Sequence, residues 1–170
     1  IAFVSKKLTK NNINGINIIS KAAGINGMIA GQAVDIESEG KSIDIDTMKF
    51  IHSNKTGALI EASIVAAAVM SDADDTRIAA LKTYAKYIGL AFQITDDILD
   101  IEGNKAELGK KIGSDELNDK ATYPKYFGLE KSKEYAKNTI TNAIESLNVF
   151  EPREKAFFVD LADYIICRKK

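Results

Sequence analysis

Residues 88–100 read IGLAFQITDDILD, and this stretch decides the fold class. A helix advances about 100° per residue, which places four polar side chains of the stretch within an arc of roughly 100°. They are Gln93, Asp96, Asp97 and Asp100. The rest of the circumference is Leu, Ile, Phe and Ala. The pattern therefore predicts a helix that is buried on most sides and carries three carboxylates on one stripe.

The composition of the whole chain favours an all-α fold. Hydrophobic residues make up 45% of the 170 residues, charged residues make up 28%, and there are only two prolines. These values are typical of one globular domain, and we find no convincing run of alternating strand residues. We expect helices over about 16–36, 44–70, 74–101, 124–128 and 129–147 and from 152 onward, with a polar loop over about 103–121.

The charge balance excludes several classes of partner. The chain has 23 basic and 24 acidic residues, so no global positive field would hold nucleic acid or an anionic membrane. No apolar run approaches the roughly 18 residues needed to span a bilayer. The single cysteine, Cys167, excludes an intrachain disulfide and a cysteine-based metal site. We expect a protein of a reducing compartment, the cytoplasm.

The negative charges of the carboxylate stripe need nearby cations. Carboxylates one helical turn apart repel each other, and removing them from water costs several kcal/mol each unless cations are present. Clustered oxygen ligands without His or Cys suit Mg²⁺, which keeps several waters and commonly bridges to substrate phosphates. Two alternatives are a solvated acidic helix face and carboxylates paired with lysines.

Other carboxylate chemistries fit the sequence less well. A di-iron bundle uses Glu-x-x-His pairs, and the only histidine, His52, belongs to no such pair. The sequence contains neither an EF-hand loop nor a phosphate-binding P-loop. A magnesium site on the stripe of residues 88–100 is the metal chemistry that the sequence favours.

Residues 92–100, FQITDDILD, resemble the second aspartate-rich motif of the polyprenyl synthetase family, and most closely that of bacterial farnesyl diphosphate synthases. Five further blocks resemble family segments in the same order. They are GMIAGQAVD at 27–35, IHSNKTGAL at 51–59, LGKKIGSD at 108–115, KATYP at 120–124 and ADYIICR at 162–168. A lone Asp-Asp-x-x-Asp is weak evidence, whereas ordered blocks over nearly the whole chain are specific.

The resemblance implies an isoprenoid-synthase-type helical bundle and a short-chain prenyltransferase. Such enzymes join an allylic diphosphate to isopentenyl diphosphate, use Mg²⁺ held between two aspartate-rich motifs, and form homodimers. Two alternatives remain, a non-catalytic partner subunit of a prenyl synthase and a terpene cyclase of the same fold. Asp96, Lys55 and Lys110 are intact, which argues against the non-catalytic subunit. The Lys-Thr and Gly-Lys blocks favour chain elongation over cyclisation.

The resemblance also assigns roles residue by residue. Asp96 matches the best metal ligand, and Asp97 and Asp100 complete that motif. Lys55 and Lys110 match lysines that contact the allylic diphosphate. The remaining matches are Thr56 and Gln93, which would support the metal site or the nascent cation, and Gln32 and Asp35, which would line the same cleft. Alternatively, the two lysines are solvated surface residues, and Gln32 and Asp35 belong to an ordinary helix end.

Only one Asp-Asp-x-x-Asp is present. In the family pattern the first aspartate motif and the basic residues that bind isopentenyl diphosphate lie upstream of the matched blocks. The chain also opens on Ile1 within an apolar stretch. We therefore expect residues 1–170 to be the C-terminal part of a single synthase domain, and we expect this part alone to make no prenyl diphosphate.

Overall fold

The computed structural model of the chain describes residues 9–108 and 121–168, with the main chain alone over 104–108. Over these residues the regular structure is entirely helical, so the all-α prediction is confirmed. The helices are α1 (Lys10–Ala23), α2 (Met28–Glu37), α3 (Ile45–Ile51), α4 (Ala58–Met70), α5 (Asp75–Leu108), α6 (Tyr123–Phe127), α7 (Leu129–Ser146) and α8 (Pro152–Cys167). A π-helical turn, His52–Gly57, joins α3 to α4.

Helix α5 is the element on which the others pack. It contacts α4, the π-helical turn, α6, α7 and α8. Tyr84, Ile88 and Ala91 of α5 belong to one buried cluster with residues of α4, α7 and α8. Further along the helix, Ile94 and Ile98 belong to a second buried cluster with residues of α3, α6 and α7. The prediction that residues 88–100 form a helix buried on most sides is therefore confirmed.

Side-chain caps begin several helices where the sequence places them. The carboxylate of Asp44 accepts a hydrogen bond of 2.7 Å from the Thr47 amide and begins α3. The hydroxyl of Thr122 caps α6, in which Pro124 lies in the first turn. Glu151 and Glu154 form a reciprocal capping box at the start of α8. These caps fix the ends of the helices that surround α5.

The single helix predicted over 16–36 is wrong, because the chain forms two helices there. α1 ends at Ala23, and α2 begins at Met28. Gly27 is buried in the turn between them, where a Cβ would lie 2.1 Å from the carbonyl oxygen of Ala22. The turn is so tight that only glycine fits at this point, and the apolar periodicity does not reveal such a turn.

Two other boundaries also differ from the prediction. α5 runs to Leu108 instead of stopping near Gly103, since one glycine costs a helix only about 1 kcal/mol. The side chain of Lys133 on α7 also bonds the side chain of Glu102 at 2.8 Å, which supports this end of α5. The helix predicted over 44–70 is interrupted by the π-helical turn. Among the described helices, none is both long and apolar enough to cross a membrane.

We predict that Tyr84 makes the stability of the fold sensitive to alkaline pH. Its ring is fully buried, and its hydroxyl donates a 2.6 Å hydrogen bond to the Phe158 carbonyl. Burial raises the pKa of Tyr84 well above its ordinary value of 10.0. The stability that this group contributes is therefore fully present below pH 10 and is lost as the pH rises towards the folded-state pKa.

Urea unfolding at a series of pH values from neutral to about 11 checks this prediction. At neutral pH, Tyr84→Phe should lower the free energy of unfolding by about 1 kcal/mol, because the hydrogen bond is lost. Above pH 10 the wild-type chain should lose stability more steeply than the variant. Parallel pH curves for the two proteins would contradict the prediction.

Candidate active site

A polar cavity of about 510 Å³ opens between the C-terminal end of α2, α3, the π-helical turn and the middle of α5. Six of the nine predicted site residues line it, namely Asp35, Lys55, Thr56, Gln93, Asp96 and Asp97. Their positions in the chain span about 60 residues, so the fold brings separate sequence blocks together. Lys110 lies outside the described residues.

Two predicted residues lie outside this lining. Gln32 is exposed on α2, almost one turn before Asp35, whereas the cavity is lined by the last turn of α2 and the loop after it. The prediction that Gln32 and Asp35 line the cleft together therefore fits Asp35 alone. Asp100 is half-buried on α5, one turn beyond Asp96 and away from the cavity.

Lys55 and Asp35 form an ion pair across the cavity wall. The ammonium group of Lys55, on the π-helical turn, donates a hydrogen bond to Oδ2 of Asp35 on α2. The exposed fractions of the two side chains are 39% and 28%, so the pair remains open to the cavity. Thr56 follows Lys55 on the same turn, and Gln93 of α5 lines the same cavity.

Arg168 binds the carboxylate that the sequence ranks first as a metal ligand. Nη2 of Arg168 lies 2.9 Å from Oδ1 of Asp96 and 3.3 Å from the carbonyl oxygen of Phe92. The guanidinium also stacks on the Phe92 ring, 4.0 Å from the ring centroid. Only 17% of the Arg168 side chain is exposed, against 53% for Asp96. The end of α8 is thereby attached to α5 beside the cavity.

Sequence analysis did not include Arg168 among the site residues. A signal for it exists in the spacing of α8, because Leu161, Ile165 and Arg168 follow the i, i+4, i+7 rule for one helix face. Ile165 is buried and Leu161 is half-buried, so the same face carries Arg168 towards α5. The pairing of Arg168 with Asp96 depends on tertiary packing and cannot be read from the local sequence.

Asp97 has a different environment from its neighbour Asp96. It is 7% exposed, and Oδ2 accepts a 2.9 Å hydrogen bond from the main-chain N–H of Tyr123 at the start of α6. The same oxygen lies 4.0 Å from Nε2 of His52 on the π-helical turn. One carboxylate therefore joins three elements, and its oxygens are largely committed to the protein.

His52 and Tyr123 complete this buried junction. Their rings stack with centroids 5.8 Å apart and an interplanar angle of 20°. Burial, with a smaller contribution from the negative charge of Asp97, raises the pKa of Tyr123 to about 12. Tyr123 therefore stays neutral at physiological pH, and His52 is packed against it in the core.

The oxygen donors around the cavity fit a magnesium ion that retains water. Within 9–103 and 121–168, no three His, Cys, Asp or Glu side chains lie close enough together to hold a metal by themselves. Asp96 presents a half-exposed carboxylate to the cavity, and Asp97 lies beside it. Mg²⁺ is commonly bound by one or two carboxylates together with water and substrate phosphate. The described residues suit that arrangement and do not form an all-protein cage.

Comparison with known proteins identifies the family. The polyprenyl synthetase family model matches residues 1–158. The chain belongs to the polyprenyl synthetase family. The blocks that carry the resemblance in the sequence fall within or beside this match, and the cavity described above is built mostly from them.

Named relatives and a solved structure place the chain among prenyl synthases. The chain is 41% identical over 170 residues to a chloroplastic geranylgeranyl pyrophosphate synthase of Catharanthus roseus, covering 99% of this chain and 48% of the relative. It is 46% identical over 155 residues to a dimethylallyltranstransferase of Fischerella ambigua, covering 90% of this chain and 44% of the relative.

A crystal structure of an FPP/GFPP synthase from Zymomonas mobilis superposes with a TM-score of 0.77 at 35% identity, covering 90% of this chain and 50% of the other. The likeness extends over most of the described helices. The chain spans about half the length of the curated relatives that it matches.

We predict that the two adjacent aspartates of this family member contribute differently to stability. Asp97→Ala leaves the buried N–H of Tyr123 without its acceptor and should lower the free energy of unfolding by about 1–3 kcal/mol. Asp96→Ala removes a half-exposed ion pair and should cost about 1 kcal/mol or less. Urea denaturation of the two variants checks the difference. Equal losses, or a larger loss for Asp96→Ala, would contradict the assignment.

Proposed function

We propose that this chain belongs to a prenyltransferase that condenses an allylic diphosphate with isopentenyl diphosphate to give a short-chain polyprenyl diphosphate. The observation that carries the proposal is the cavity in which Lys55, Gln93 and Asp96 lie together. These residues come from separate family blocks and supply a cation, an amide and a metal-binding carboxylate. The names of the matched relatives support the same class of reaction.

The charge of the cavity supports a requirement for cations. Among the described residues its lining carries four carboxylates, on Asp35, Glu39, Asp96 and Asp97, and two lysines, Lys41 and Lys55. A diphosphate would be repelled by this acidic excess without additional positive charge. Bound Mg²⁺ neutralises the diphosphate and makes it a better leaving group. Asp96 is the proposed ligand, with Asp97 and Asp100 acting through water.

The remaining residues have proposed roles that follow the geometry. Lys55 would exchange Asp35 for a phosphate oxygen, since the ion pair is half-exposed and faces the cavity. Lys110 is proposed as a second diphosphate contact. Thr56 and Gln93 would supply uncharged oxygen atoms near the metal or the allylic cation. Gln32, which is exposed one turn from the cavity, has a weaker claim to substrate binding.

Product length, assembly and location form the finer part of the proposal. The sequence favours a farnesyl diphosphate synthase, whereas the Catharanthus roseus relative is named for geranylgeranyl pyrophosphate, so we propose the short-chain class as a whole. We propose a homodimer, to which the exposed side chains of Ile13, Ile25 and Ile29 would contribute apolar surface. A cytoplasmic location remains a prediction, since the same relative is named chloroplastic.

A chimera provides a direct test of the function. The part of the Fischerella ambigua enzyme that this chain does not match can be joined to residues 1–170, because the matched parts are 46% identical. We predict Mg²⁺-dependent elongation of dimethylallyl or geranyl diphosphate by isopentenyl diphosphate. The product can be measured with radiolabelled isopentenyl diphosphate. A folded chimera that binds both substrates without elongating them would contradict the proposed reaction.

The same chimera tests the role of Asp96. We predict that Asp96→Ala lowers turnover by several orders of magnitude, because the leaving diphosphate loses charge stabilisation. Lys133→Ala is a matched control, since it removes a surface ion pair with Glu102 away from the cavity. Kinetics of the Asp96→Ala chimera close to those of the control would remove this residue from the site.

We also predict that residues 1–170 alone do not elongate an allylic diphosphate. The proposed site needs carboxylates and basic groups beyond those in the described cavity, and the chain spans about half of its relatives. The assay combines the purified chain with Mg²⁺, isopentenyl diphosphate and geranyl diphosphate. Robust product formation would show that the second aspartate motif is sufficient and would overturn the two-sided site.

A further inference from the structure

The π-helical turn lies between α2 and α5 with almost no space on either side. A Cβ on Gly31 of α2 would lie 2.2 Å from the amide nitrogen and 2.7 Å from the Cα of Lys55. On the opposite side, a Cβ on Gly89 of α5 would lie 3.2 Å from the Cα of Gly57. The main chains of two helices therefore contact the turn directly, which only glycine permits at Gly31.

A π-helical turn depends on its surroundings for a defined path. π-Helical geometry is rare, occurs mostly as single turns within α-helices, and is frequent at functional sites. This turn carries Lys55 and Thr56, both of which line the cavity. The direction of the Lys55 side chain therefore depends on how closely α2 and α5 confine the turn.

Helix α2 contacts Lys55 at two points. Gly31 and Asp35 are four residues apart, so they lie on the same face of α2. Gly31 meets the main chain of Lys55, while the Asp35 carboxylate accepts a hydrogen bond from its ammonium group. One face of α2 therefore contacts Lys55 both at its main chain and at its ammonium group.

We propose that Gly31 and Asp35 are positioning residues that hold the Lys55 ammonium in the cavity. The identity of the group that Lys55 binds rests on the proposed function, whereas the positioning itself is a property of the ligand-free chain. An alanine at Gly31 moves α2 away from the turn, because the obstructing atoms belong to the main chain and not to a flexible side chain. The separation also breaks the bond between Lys55 and Asp35.

Gly15 provides a matched control for simple overpacking. It is a buried glycine of α1 at a helix contact, and its Cβ would lie 2.7 Å from Cγ and Sδ of Met70. The side chain of Met70 is flexible and lies outside the cavity lining. Gly15→Ala therefore adds the same methyl group to a helix contact without moving Lys55.

Lysine labelling followed by mass spectrometry tests the positioning without any ligand. The 170-residue chain is treated briefly with an acylating reagent, and the modification rate of Lys55 is compared with that of exposed Lys137 on α7. In Gly31→Ala the ratio should rise about twofold or more, because the ammonium loses its carboxylate partner. In Gly15→Ala the ratio should stay at the wild-type value. An unchanged ratio in Gly31→Ala would overturn the proposal.

Asp35→Asn tests the second contact without adding volume. It keeps the size of the side chain and removes its charge, so the labelling ratio of Lys55 should again rise while thermal unfolding stays close to that of the wild type. This variant also covers the case in which Gly31→Ala does not fold. A wild-type ratio in folded Asp35→Asn would likewise overturn the proposal.

Binding of a thiolo analogue of geranyl diphosphate to the chimera described above, in the presence of Mg²⁺, separates this inference from the proposed function. Gly31→Ala should weaken binding about tenfold or more, because a misplaced contact group is costly. Combined with Lys55→Gln, it should add no further loss beyond Lys55→Gln alone. If the binding losses of the two single variants multiply in the double variant, the positioning role is wrong. A folded wild-type chimera that does not bind the analogue, with labelling ratios as expected, would count against the proposed function alone.

Discussion

A carboxylate buried in a helical core needs a hydrogen-bond donor. At Asp97 this hydrogen bond also sets the positions of the elements around the cavity. Its donor is the main-chain N–H of Tyr123, which ties the start of α6 to the middle of α5. The ring of Tyr123 then stacks on His52, which fixes the beginning of the π-helical turn. Loss of this bond would leave the buried N–H of Tyr123 without its acceptor, a cost of about 1–3 kcal/mol. Helix α5, helix α6 and the π-helical turn are therefore joined at one buried junction beside the cavity.

Helix geometry gives the adjacent aspartates separate roles. Successive side chains on a helix point about 100° apart, so Asp97 enters the core while Asp96 faces the cavity. The first carboxylate is committed to main-chain and ring partners, and the second forms an ion pair with Arg168 at the end of α8. The carboxylate of Asp97 therefore stabilises the fold, whereas the carboxylate of Asp96 is half-exposed at the cavity.

The sequence predicts the parts of this arrangement that are local. The carboxylate stripe of α5 and the helix starts near Asp44 and Pro124 follow from spacing and residue type. The tight turn at Gly27 and the ion pair of Arg168 with Asp96 were not predicted. The turn depends on a close main-chain approach that residue patterns do not reveal, and the ion pair depends on tertiary packing. Family motifs supplied Lys55 as a site residue, whereas its geometry on a π-helical turn between two glycines required the structure.

Among the described residues, two cations at or beside the candidate site are already paired in the ligand-free chain. Lys55 is bound to Asp35, and Arg168 is bound to Asp96. Half-exposed ion pairs of this kind are worth about 0–1 kcal/mol, whereas a hydrogen bond to a charged ligand is worth about 1.5–3 kcal/mol. In the proposed reaction, Lys55 would therefore exchange Asp35 for a phosphate oxygen, and Asp96 would exchange Arg168 for a metal ion. The ion pairs keep the side chains oriented and the net charge low until the substrate provides stronger contacts.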